Sequence, residues 1–116
     1  MMLLIALSLA VEEPAKAAPW AEPPRPIAGY IGSEDYPRDA LRNDEQGRVD
    51  ALLTISEAGS VTSCTIRRSS GHQLLDDTTC RLVLARYRFD PARNSQGQPV
   101  AVQAVLPVVW ILPSLE

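Results

Sequence analysis

The chain has 116 residues, 46% of them hydrophobic, enough to bury the core of one small domain but not of two. Its formal charge is −3, and the arginines that crowd between Arg67 and Arg93 are interleaved with Asp76, Asp77 and Asp90. That balance argues against nucleic acid as a partner, and a solvated helix face accounts for the cluster.

In chain order, Met1 to Val11 is apolar apart from Ser8. The run is shorter than the roughly 20 residues a membrane-spanning helix needs, and Ala15-Lys16-Ala17 follows it as a small-x-small cleavage pattern. Residues 1–17 are therefore expected to be a signal peptide cut after Ala17, the alternative being a truncated membrane anchor. Removing them leaves 10 arginines against 12 acids, because Lys16, Glu12 and Glu13 go with the leader. Residues 18–35 hold Pro19, Pro23, Pro24 and Pro26 with Gly29 and Gly32 and show no apolar period. They are expected to form an extended tether stiffened toward polyproline II rather than a folded element. Trp20 and Tyr30 lie within it, either solvated or docked on the domain.

The folded domain is expected over residues 36–113. Pro37 suits the first turn of a short helix through Ala40 and Leu41, which the polar run Asn43 to Gly47 ends. Val49, Ala51, Leu53 and Ile55 alternate with Asp50, Leu52, Thr54 and Ser56, the period of a half-buried strand. Glu57-Ala58-Gly59-Ser60 turns the chain into a second, antiparallel strand, with Gly59 available for a positive φ. On that strand the inward candidates Val61, Cys64 and Ile66 are spaced by three and then two, which predicts a β-bulge. After the break at Ser69-Ser70-Gly71, a helix places Leu75, Thr79, Cys80, Leu82, Val83 and Tyr87 on one side and Asp77, Arg81 and Arg88 on the other. Phe89-Asp90-Pro91 is its expected end. A last strand follows the turn Asn94–Gly97 and spans residues 99–111, uncharged and β-branched-rich. Pro107 lacks a backbone donor, so this strand is expected at a sheet edge, where it is either an aggregation hazard or a binding site. The fold class is thus α+β: a short N-terminal helix, a β-hairpin, a longer α-helix and a final edge strand, with the helix on one face of a three-stranded antiparallel sheet.

Cys64 and Cys80, the two cysteines of the chain, fall on the strand and helix faces that meet, and an oxidising compartment favours a disulfide between them. Cys64, His72 and Cys80 also have the residue types of a zinc site but lack the close cysteine pairs of structural zinc. Ser70, His72 and Asp76 contain the residue types of a hydrolytic triad, yet no Gly-x-Ser-x-Gly turn or oxyanion loop accompanies them. Asp76 and Asp77 at a helix start complement its dipole. No catalytic residue, metal ligand or cofactor site is therefore assigned, and an enzyme is not expected.

The order Tyr36-Pro37, Gln46-Gly47-Arg48-Val49, Glu57-Ala58-Gly59-Ser60-Val61, Ser69-Ser70-Gly71, Leu75-Asp76 and Arg88-Phe89-Asp90-Pro91-Ala92 resembles the C-terminal domain of TonB over about residues 36 to 111. The resemblance implies a periplasmic domain that captures a short segment, the TonB box, of an outer-membrane transporter by β-strand addition. In that family, force from inner-membrane motor proteins drives transport across the outer membrane. Carried over, the partner strand pairs along Val100, Ala101, Val102, Gln103, Ala104, Val105 and Leu106. Two classes of function follow: a peptide-capturing adaptor working with such a transporter, or a freestanding periplasmic interaction module. In the second class the same edge serves self-association, as in a homodimer, or an envelope partner.

Overall fold

The computed structural model describes residues 19–113, so the leader predicted over 1–17 lies outside the described residues. Four elements carry the architecture. Strand β2 (Gly47–Ile55) pairs antiparallel with β3 (Val61–Arg68) on one side and with β7 (Val102–Trp110) on the other, giving the order β3-β2-β7. Helix α2 (Gln73–Arg86) lies across one face. The remaining elements are short: β1 (Arg25–Ala28), a 3-10 turn (Ser33–Asp35), α1 (Arg38–Arg42), β4 (Arg88–Asp90), β5 (Ala92–Arg93) and β6 (Pro99–Val100). The predicted α+β fold, with a three-stranded antiparallel sheet under one long helix, is the fold observed.

The apolar alternation of β2 decides which face is covered. Val49, Ala51, Leu53 and Ile55 are all buried, against Leu75, Leu82 and Val83 of α2 and against the aromatic residues Tyr36, Phe89 and Trp110. The bulge expected in β3 is present. Thr54 pairs with Ser63 and Ile55 with Val61, so Thr62 is the extra residue, and a second shift near Arg67 bends the same strand. Gly59 turns the hairpin at φ 88°, and a Cβ there would run into the Phe89 carbonyl oxygen. The position therefore needs glycine for both conformation and space.

Three local differences from the sequence reading have backbone causes. The helix ends at Arg86 rather than at Phe89: Tyr87 donates the last helical bond to Val83 and turns extended. Arg88–Asp90 then pairs with Arg25–Ala28, and the Phe89 N–H donates to the Gly59 carbonyl. Part of the stretch read as a free tether is thus a folded element, because β4 offers it unpaired backbone groups. Finally, the last strand is broken at Ala101: Pro99–Val100 pairs with Ala92–Arg93, and only Val102–Trp110 belongs to the main sheet.

Cys64 and Cys80 form a disulfide with their Cα atoms 5.5 Å apart, tying β3 to α2 across 16 residues of sequence. In the chain-entropy picture a loop of that size contributes about 3 kcal/mol. Reduction, or Cys80→Ser, is expected to lower unfolding stability by about that amount, read by urea denaturation. A variant as stable as the oxidised protein would show that the crosslink only decorates contacts already made.

Candidate functional site

A three-stranded sheet has two outer edges, and the two are built differently. β3 carries Arg67 and Arg68, is bent by two bulges and is fastened to the helix by the disulfide. Each device blunts an edge against a further strand. β7 has none of them. Its nine residues pair with β2 without a register shift, and none is charged.

The direction of each backbone group on β7 follows from the ladder. The Ser56 N–H donates to the Ser60 carbonyl, so Ser56 addresses β3. Successive residues of an extended strand address opposite neighbours, so Ile55, Leu53, Ala51 and Val49 address β7. Their partners Val102, Ala104, Leu106 and Val108 are thereby engaged with β2. Gln103, Val105, Pro107 and Val109 direct their backbone groups outward. Pro107 lies in the outward set, the only set in which a missing donor leaves the ladder intact. Of the residues predicted to receive a partner, Val102 to Leu106 lie along this edge, Ala101 sits at the break before it, and Val100 is already paired with Ala92.

The edge is held at both ends. Trp110 is 4% exposed, its indole N–H donates to the Thr79 hydroxyl at 2.8 Å, and its ring meets Tyr36 edge-on at 5.1 Å. Tyr36 in turn donates to the Glu45 carbonyl, and burial, with the Glu45 charge second, pushes its phenol pKa up. At the other end Thr54 accepts hydrogen bonds from Ser63 and Gln103, linking all three strands on the uncovered face. An open groove of about 660 Å³ lies beside Leu52, Thr54, Arg67 and Gln103 on that face. A smaller cavity of about 130 Å³ lies on the core side of the edge, between Ala104 and Leu106 and the prolines Pro24 and Pro26.

The family model described as Gram-negative bacterial TonB protein C-terminal matches residues 33–112. The chain belongs to this family. A search of curated proteins finds no significant match. Among the described residues of this TonB C-terminal domain, no helix is long and apolar enough to cross a membrane.

The other residues singled out in the sequence resolve into structural roles. Both cysteine thiols are consumed by the disulfide, so Cys64, His72 and Cys80 do not form a metal site. Ser70 and Asp76 do meet, but the histidine is not between them. The hydroxyls of Ser69 and Ser70 and the Ser70 N–H all donate to the Asp76 carboxylate at 2.5–3.0 Å. The His72 ring lies 3.9 Å from Glu45 instead. A serine that donates directly to a carboxylate is a turn clamp, not a nucleophile handed to a base. Sequence reasoning assigned Asp76 to the helix dipole alone and missed this clamp; the spacing of Ser69-Ser70 six to seven residues ahead of it was the available signal. It also missed Pro24 and Pro26 as lining residues, since they precede the predicted domain.

Burial would raise the Asp76 carboxyl, but the donors from Ser69 and Ser70 outweigh it and hold the group below its ordinary value. A depressed folded pKa means that its stabilisation is complete above the unfolded value of about 3.9 and is lost as pH falls through the folded value. Asp76→Ala strands the two half-buried donors of Ser70 and the exposed hydroxyl of Ser69, so it is expected to cost about 1–2 kcal/mol at pH 7 and to flatten the acid limb of a stability-against-pH curve. An unchanged acid limb would remove Asp76 from the account.

Proposed function

We propose that this domain captures an extended segment of an outer-membrane transporter, of the TonB-box kind, by β-strand addition to the outer edge of β7. It does so in the periplasm, as the binding end of energy-coupled transport across the outer membrane. The observation that supports this best is the edge itself: nine regular, uncharged residues whose alternate backbone groups face outward, beside a second edge that is blunted three ways. In strand addition those main-chain groups supply much of the affinity. No catalytic step is part of this reading. The family match over residues 33–112 supports the transporter as the source of the segment and inner-membrane motor proteins as the source of force.

The outward parity gives the reading a sharp test. Gln103→Pro and Val105→Pro each remove an outward donor and leave the pairing with β2 intact, so circular dichroism should be unchanged while binding to a TonB-box peptide is lost. Ala104→Pro removes a donor engaged with β2 and is expected to destabilise the fold by about 3 kcal/mol or more. Folded Gln103→Pro and Val105→Pro proteins that bind the peptide with wild-type affinity would exclude the edge as the site.

A further inference from the structure

The core-facing row of β7 is covered unevenly. Val102 and Trp110 at its ends are buried, whereas Ala104, Leu106 and Val108 between them are only half-buried. Their partners on β2, namely Leu53, Ala51 and Val49, are at most 1% exposed. Helix α2 covers β3 and β2 and leaves a gap beside β7. The N-terminal ribbon stands along that gap: Pro26 pairs with Phe89, and Pro24 and Pro26 close the 130 Å³ cavity over Ala104 and Leu106. All side chains lining it are hydrocarbon.

We propose that this cavity is a side-chain subsite for one branched aliphatic residue, valine, isoleucine or leucine, of the captured strand. The proposal rests on the strand-addition reading and adds a sequence requirement to it. An added strand lies about 4.8 Å outside β7, and its alternate side chains descend on the core face directly opposite Ala104 or Leu106. One of them meets the cavity mouth. An apolar cavity of about 150 Å³ accommodates benzene, so the space suits one aliphatic side chain and nothing larger than a small ring. The side chains that line it offer no hydrogen-bond partner, so a charged group entering it gives up water for mostly hydrocarbon surroundings. Side chains of the other parity land on the uncovered face, beside Gln103, Thr54 and the open groove with Arg67, where water still reaches them. Selectivity is therefore confined to one position of the captured segment, flanked by tolerant neighbours. Pro24 and Pro26 lie outside residues 33–112, so chain that precedes the family domain supplies one wall of the subsite, and residues within it, Leu53, Ile55, Phe89, Ala104 and Leu106 among them, supply the rest.

The test uses the full chain and a synthetic TonB-box peptide in which each residue in turn is replaced by Asp, by Gly or by Leu, followed by titration calorimetry. Asp at a single position should weaken binding by on the order of 10- to 100-fold, as expected for a pocket walled by hydrocarbon side chains. Asp at either neighbour should change it by less than about threefold, the size of a surface substitution. In Ala104→Leu the new side chain fills the cavity from within, so the preference at that position should reverse and Gly should bind better than Leu. Should Ala104→Leu fail to fold, methyl NMR of the wild type decides. The Leu53, Ile55 and Leu106 methyls should shift on binding the Leu peptide, and the Leu53 and Ile55 methyls should stay in place with Gly at that position. Equal tolerance at every position, with unmoved methyls, overturns the subsite and leaves strand capture standing. Binding of no peptide at all overturns both.

Discussion

Because β2 is the one strand among the described residues with a main-sheet neighbour on each side, its inward side chains and its backbone groups are both committed. Val49, Ala51, Leu53 and Ile55 are between 0% and 1% exposed and hold the helix. The same residues address β7 with their backbone, while Asp50, Leu52 and Thr54 address β3. That division fixes the parity of β7, and through it which backbone groups are left facing outward. A slip of one residue would turn every core side chain of β7 to the open face, and the regular register from Gly47–Trp110 to Ile55–Val102 shows that no slip has been accommodated.

The ends of the sheet show how the domain keeps such an edge flat without covering it. Trp110 locks into α2 through Thr79 and into the start of the domain through Tyr36. The segment before the domain is held by ion pairs: Arg86 grips Asp35 through two hydrogen bonds of 2.7 and 2.8 Å and also donates to the Tyr30 carbonyl. The Arg86 guanidinium, followed by the Gly32 N–H, holds the Asp35 carboxyl down to about 2. Gly29 lets the chain pass the helix end, since a Cβ there would lie 2.8 Å from the Tyr87 Cα. These contacts place the proline ribbon beside β7, where the strand itself offers only half-covered aliphatic side chains.

Much of this was legible in the sequence because the elements that matter are amphipathic with clean periods. The alternation in β2, the bulge spacing of Val61, Cys64 and Ile66, and the helical face of Leu75, Thr79, Leu82 and Val83 are local signals, and each appears as expected. Pro107 marked β7 as an edge strand for the same reason that it now marks the outward parity. What could not be read were pairings between distant segments. Nothing in Arg25-Pro26-Ile27-Ala28 signals that Arg88–Asp90 will offer it a partner 63 residues later, between Pro26 and Phe89. A proline-rich stretch reads as solvated chain until its neighbour is known. The clamp of Ser69 and Ser70 on Asp76 was hidden by a similar ambiguity, since an acid in the first turns of a helix already has a sufficient local explanation.

The central claim is that alternate backbone groups of β7 are unpaired in the free domain and become paired on capture. Residue-resolved amide hydrogen exchange tests it most directly. In the free protein the amides of Val102, Ala104, Leu106 and Val108 should exchange slowly and those of Gln103, Val105 and Val109 rapidly; on adding a TonB-box peptide, Gln103 and Val105 should become protected. Equal slow exchange of both sets in the free protein, or peptide binding that leaves Gln103 and Val105 exchanging rapidly, would contradict the account.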